Sequence, residues 1–162
     1  MTKKVQKVSK FLQKNNLKVV TAESCTGGWV AKILTDLPGS SAYFERGFVT
    51  YSNQAKQDML GVSKETLDKY GAVSEPVVAE MTSGALKNST SDVAIAISGI
   101  AGPGGGTKEK PVGTVCFSWQ LKNHKAETQT MLFKGDRDSI REQSVEFIIN
   151  GVIDKMGAAI DV

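Results

Sequence analysis

Few of the side chains that usually carry enzymatic chemistry occur in this sequence of 162 residues. It has one histidine, His124, and two cysteines, Cys25 and Cys116. The cysteines have no paired spacing, so they read as reduced thiols of a cytoplasmic protein rather than as a disulfide framework. Without a CxxC or HExxH pattern there is no ligand set for zinc, and no metal or cofactor is expected. No apolar run approaches the roughly 18 residues that a membrane span requires. The basic opening Met1-Thr2-Lys3-Lys4 lacks the apolar stretch of a secretory signal behind it. Charge of one sign is also missing. Twenty Lys and Arg against 17 Asp and Glu leave a net +3, with no basic block, which argues against a nucleic-acid partner.

What remains is ordinary globular material, 40% hydrophobic and 23% charged, enough for one domain over 1–162 with a single buried core. Val5, Val8, Phe11 and Leu12 form a helical stripe over residues 3–15. Leu17 to Val20 reads as a buried strand and Trp29 to Leu34 as a helix. Tyr43 to Tyr51 reads as a second strand. Short helices follow near Lys56 and over Lys64 to Tyr70. Ser74 and Pro76 then open a helix that runs to about Lys87. Asp92 to Ile97, apolar on both faces, predicts a central strand. Val112 to Trp119 and Glu127 to Phe133 predict a hairpin, with His124 an exposed turn residue. Gly135 to Asp138 opens the last helix, whose apolar face reaches Ile153. This order predicts α/β layers around a mixed sheet with helices on both faces.

Three loops follow the ends of expected strands: Thr21–Gly28, Tyr51–Lys56 and Ser98–Gly106. In open α/β sheets ligands bind at the carboxyl ends of strands, so these loops are expected to converge. They supply Ser24, Cys25, Thr26, Tyr51, Lys56, Ser98 and many backbone amides. They offer no histidine base and no acid pair, so a serine nucleophile with a lysine base fits them best. Ser24 and Thr26 also fit a plain helix cap. Lys56 also fits a solvated surface lysine.

As a base, Lys56 must be uncharged, whereas an ordinary lysine with pKa ~10.4 is neutral in roughly one molecule per few thousand at pH 7. Burial among apolar groups lowers that value, and Val49 and Met59 are the candidate neighbours. Tyr51 relays a proton or merely packs. Cys25 reads as a small buried residue rather than a nucleophile, since no base accompanies it. Gly102–Gly106 is no P-loop, because no Gly-Lys-Ser/Thr follows. It is either a flexible connection or a backbone cradle for an anion. Arg137 and Arg141, four apart, present a cationic face for phosphate or form surface ion pairs.

Thr21–Gly28 (TAESCTGG), Gly47–Lys56 (GFVTYSNQAK), Gly71–Ser74 (GAVS), Ser98–Gly106 (SGIAGPGGG) and Lys110–Val115 (KPVGTV) together resemble the CinA C-terminal domain family. These are the stand-alone and fused nicotinamide-nucleotide amidases. The resemblance runs from about residue 5 to residue 155. It implies a three-layer α/β/α fold with a mixed, mostly parallel sheet, and a homo-oligomer. It implies hydrolysis of the carboxamide of nicotinamide mononucleotide (NMN) to nicotinic acid mononucleotide and ammonia, without metal. By position it implies Ser24 as nucleophile and Lys56 as base, with Tyr51 beside it. The implied ligand contacts are Cys25, Thr26, Gly27, Ser98, Gly99, Gly102, Gly104, Gly105 and one or both of Arg137 and Arg141. Amides near Ser24 and Cys25 would hold the oxyanion. Many members carry threonine where this chain has Ser98. The alternatives are an amidase for another amide, and a nucleotide-binding regulatory module that has lost the chemistry.

Overall fold

In the computed structural model, which describes residues 1–160, a five-stranded sheet is sandwiched between two sets of helices. The last two residues of the expected domain lie outside the described residues. The elements in order are α1 (Thr2–Lys14), β1 (Val19–Glu23), α2 (Trp29–Thr35), β2 (Phe44–Val49), α3 (Asn53–Leu60), α4 (Lys64–Tyr70), α5 (Glu75–Lys87), β3 (Val93–Gly99), β4 (Thr114–Leu121), β5 (Glu127–Leu132) and α6 (Arg137–Ile160). The strand order is β2-β1-β3-β4-β5. β1 pairs in parallel with β2 and β3, while the β3–β4 and β4–β5 pairs are antiparallel. Four strands therefore point one way and β4 opposes them, giving the mixed, mostly parallel sheet that the family resemblance implies.

Side chains alternate across a strand, and β3 uses this to build two different faces. Val93, Ile95 and Ile97 enter one core with Val5, Val8 and Leu12 of α1, Leu34 of α2 and Ile148 of α6. Each such fully buried aliphatic side chain contributes about 1.5–3 kcal/mol. Ala94 and Ala96 face the other core, with Val77, Val78 and Met81 of α5, Leu60 of α3 and Leu67 of α4. Small residues on that face let α5 lie close to the sheet. The closeness extends to α3: a Cβ on Gly84 would come within 1.8 Å of the Leu60 carbonyl oxygen. Helix α3, which carries Lys56, is thereby held against α5 backbone to backbone.

Helix termini match the sequence signals. Ser52, Ser63 and Ser74 each accept a hydrogen bond from an amide in the first turn of α3, α4 and α5 respectively. The expected strand at Val112 starts two residues later, at Thr114. Gly113 intervenes with φ +97°, its backbone pressed against the Phe133 carbonyl. His124 is exposed in the hairpin turn, as expected. No helix among the described residues is long and apolar enough to cross a membrane.

Candidate active site

The carboxyl ends of β1, β2 and β3 lie side by side, and the loops leaving them enclose a cleft of about 270 Å³. Ser24, directly after β1, donates its amide to the Ile97 carbonyl at 3.0 Å, which fixes the nucleophile candidate to the end of β3. Lys56 enters from the first turn of α3, a helix separated from the end of β2 by three residues. Its Nζ lies 3.0 Å from Ser24 Oγ, 2.9 Å from the Thr50 carbonyl oxygen and 3.4 Å from the Tyr51 carbonyl oxygen.

Lys56 is only 1% exposed. Among the described residues no carboxylate pairs with it. Burial pushes its amine below the ordinary lysine value, with a smaller opposing influence from Cys25. Val49 and Met59, the apolar neighbours expected beside it, are themselves 46% and 41% exposed. Its amine is held by Ser24 Oγ and the backbone carbonyls of Thr50 and Tyr51.

Cys25 is adjacent but chemically quiet. Burial raises its thiol to about 11, against the opposing effects of its own amide and of Arg141. At neutral pH it is protonated, the reverse of an activated thiol.

The glycine loop forms the opposite wall. Gly102 has φ +81° and sits so close to Val112 that a Cβ would approach it to 2.5 Å. Between Ala101 and Gly106 no amide donates to a backbone acceptor among the described residues. Gly104 and Gly105, whose amides have no backbone acceptor among the described residues, line the cleft. Ser98 lines it too, and its hydroxyl has no partner among the described residues. Arg137, at the start of α6, spans the mouth. Its Nη1 donates to the Gly102 carbonyl at 2.7 Å and its Nη2 to the Tyr51 hydroxyl at 3.1 Å.

The sequence profile of the CinA C-terminal domain matches residues 1–156. The chain belongs to the CinA C-terminal domain family. Nicotinamide-nucleotide amidohydrolase PncC of Escherichia coli K12 is 56% identical over 144 residues, 89% of this chain and 87% of that protein. A CinA-like protein of Akkermansia muciniphila is 53% identical over 143 residues, 88% of this chain but 34% of that longer protein. Among solved structures, the CinA superfamily protein of Klebsiella pneumoniae 700603 superposes with a TM-score of 0.93 at 39% identity, over 97% of this chain and 98% of that one. The competence/damage inducible protein CihA of Agrobacterium tumefaciens gives 0.90 at 41% identity, over 99% and 95%.

Of the CinA-family site residues expected here, Ser24, Cys25, Tyr51, Lys56, Ser98, Gly99, Gly102, Gly104, Gly105 and Arg137 line the cleft, whereas Thr26, Gly27 and Arg141 stand behind it. Tyr51 meets the Ser24–Lys56 pair through its carbonyl; its ring is 61% exposed and its hydroxyl is bound by Arg137. The Ser24 amide, expected among the oxyanion donors, is occupied by Ile97.

Several residues escaped the sequence reading, Ala72 and Val73 of the cleft wall among them. Asn53 lines the cleft beside Lys56; its position two residues past Tyr51 in the YSNQAK segment was the available signal. Glu23 is buried, and its carboxylate accepts from Thr26 Oγ1 at 2.6 Å and from the Val30 and Ala31 amides at 2.8 and 3.0 Å. It, rather than Ser24 or Thr26, satisfies the first amides of α2. An acidic residue just ahead of a helix start was the signal there.

Proposed function

We infer that this protein hydrolyses the carboxamide of NMN to nicotinic acid mononucleotide and ammonia, with Ser24 as nucleophile and Lys56 as general base. The observation that carries the mechanism is the buried amine 3.0 Å from the serine hydroxyl, with two backbone carbonyls as its other neighbours. A neutral amine has two N–H groups and one lone pair. The Thr50 and Tyr51 carbonyls accept the two hydrogens, which turns the lone pair to Ser24. Ser24 Oγ attacks the amide carbon as its proton passes to Lys56. Of the amides at the nucleophile, that of Ser24 is occupied. The N–H of Cys25, which donates to no backbone acceptor among the described residues, is left to stabilise the oxyanion. Lys56, now an ammonium, gives its proton to the departing nitrogen, which leaves as ammonia. Water then attacks the acyl-serine, returning a proton through Lys56 to Ser24 and releasing the acid.

The rest of the cleft suits a mononucleotide. Ala72, Val73 and Ile100 offer an apolar wall for the pyridine ring. Gly104 and Gly105 amides, the Ser98 hydroxyl and Arg137 suit the phosphate. Arg137 uses two of its five N–H donors on the protein, leaving three. The substrate assignment is supported by the named activity of the E. coli relative, 56% identical to this chain.

A coupled ammonia assay over NMN, nicotinamide, NAD and glutamine tests the substrate. The expected result is turnover of NMN with little from the other three. Preference for another amide would move the assignment to that compound. Thermal stabilisation by NMN without ammonia release would instead mark a binding module.

A further inference from the structure

Arg141 lies one turn beyond Arg137 on α6, yet it does not reach the cleft. Its Nε donates to the Cys25 carbonyl at 3.0 Å and its Nη2 to the Thr26 carbonyl at 3.3 Å. The guanidinium also stacks over the Trp29 ring, 5.5 Å from its centroid. The carbonyl before these, that of Ser24, accepts from the Gly27 amide at 3.1 Å, and the Trp29 amide closes on the Thr26 carbonyl at 3.1 Å. Three consecutive carbonyls after β1 are thus held. From the other side, Glu23 grips the Thr26 hydroxyl and the first amides of α2.

We propose that Arg141 is a positioning residue: by holding the Cys25 and Thr26 carbonyls it locks the Ser24–Gly27 turn and so keeps the Cys25 N–H aimed at the oxyanion, without touching the nucleotide. In a trans peptide the C=O and N–H point in opposite directions, so fixing one fixes the other. The Ser24 carbonyl is turned to Gly27, so the Cys25 amide faces away from Gly27. That arrangement persists only while the next two peptide planes cannot rotate. Gly27, at φ +58°, gives the turn little stiffness of its own. The bidentate fork supplies it, with the guanidinium carbon 5.5 Å from the Trp29 ring centroid. Lysine has no such fork. This inference rests on the Ser24 acyl-transfer reading for its catalytic part, but the bracing itself does not.

The test compares Arg141→Lys and Arg141→Ala with the wild-type chain. For Arg141→Lys the expected result is a kcat for NMN lower by about 100-fold, the scale of losing one oxyanion donor, and a KM within about threefold of wild type. The preference for NMN over its phosphate-free nucleoside stays unchanged, because no phosphate contact is lost. Added guanidinium ion restores part of the kcat of Arg141→Ala. Backbone amide exchange of residues 24–28 accelerates in Arg141→Lys while that of β3 does not. A raised KM with preserved kcat, or a lost preference for the phosphorylated substrate, overturns the proposal and makes Arg141 a phosphate ligand. Unchanged exchange in the turn overturns the bracing whatever the activity. Ser24→Ala separates the two readings: if it still turns over NMN, the serine mechanism fails, while the KM-against-kcat split and the exchange data still decide Arg141.

Discussion

Lys56 carries the chemical case, because a lysine placed among neutral acceptors is worth having only when its proton can leave. It is 1% exposed and has no carboxylate partner among the described residues, so burial disfavours its charged form. Under the proposed mechanism the uncharged amine is the active form, so kcat/KM for NMN is expected to rise with pH through the lowered pKa of Lys56. The plateau begins below the ~10.4 of an ordinary lysine. A rate still climbing at pH 10.5 would assign the limb to an unperturbed amine. Stability moves in the same direction. The unfolded chain binds this proton more tightly than the folded one. The burial penalty is therefore present in full below the folded pKa and is relieved as pH rises toward the unfolded value. Lys56→Met is accordingly expected to abolish ammonia release, a loss of at least about 10²-fold for a general base. It should also raise Tm at pH 7, by about 2–4 °C for each kcal/mol relieved. Activity within a few-fold of wild type would put the base elsewhere, and a lowered Tm would mean the amine stabilises the fold.

Helix α3 holds that lysine in place through a contact that contains no side chain. Gly84 of α5 lies against the Leu60 carbonyl so closely that a methyl group would sit 1.8 Å from the oxygen. Gly84→Ala therefore has to push α3 from α5, at a cost of about 1–3 kcal/mol or more. Calorimetry should show a lowered Tm, and the ammonia assay a lowered kcat, since Lys56 travels with α3. An unchanged Tm would mean that the two helices separate freely. This contact was not visible in the sequence, where Gly84 is one small residue among several in a helix.

The helices and strands themselves were legible, because period and capping are local. The apolar run of β3, and Ser74 with Pro76 at the start of α5, identify their elements without long-range information. The three loops at strand ends were also legible, and so was the Ser24–Lys56 pairing as a hypothesis. What a linear pattern withholds is direction at the level of single side chains. Arg137 and Arg141 lie on one side of α6, a turn apart, about 6 Å along the axis. That rise separates a guanidinium at the cleft mouth from one behind the nucleophile loop. Thr26 reads as a ligand hydroxyl until Glu23 is found accepting it.

At the scale of the whole molecule, the sheet order gathers the candidate site. With β1 between β2 and β3, all three parallel, their carboxyl ends bring Ser24, Lys56 and the glycine loop to one place. The antiparallel β4 and β5 extend the sheet, and Trp119 of β4 donates to the Ile148 carbonyl of α6 at 2.9 Å. The helix bearing Arg137 and Arg141 is thereby anchored to the same sheet. Two cores, one on each face, keep the strand ends in register. Ammonia release from NMN by Ser24→Ala, measured beside Cys25→Ala, tests the central claim most directly. The serine variant is expected to be folded and inactive, and the cysteine variant active. A folded Ser24→Ala enzyme that still releases ammonia would contradict it.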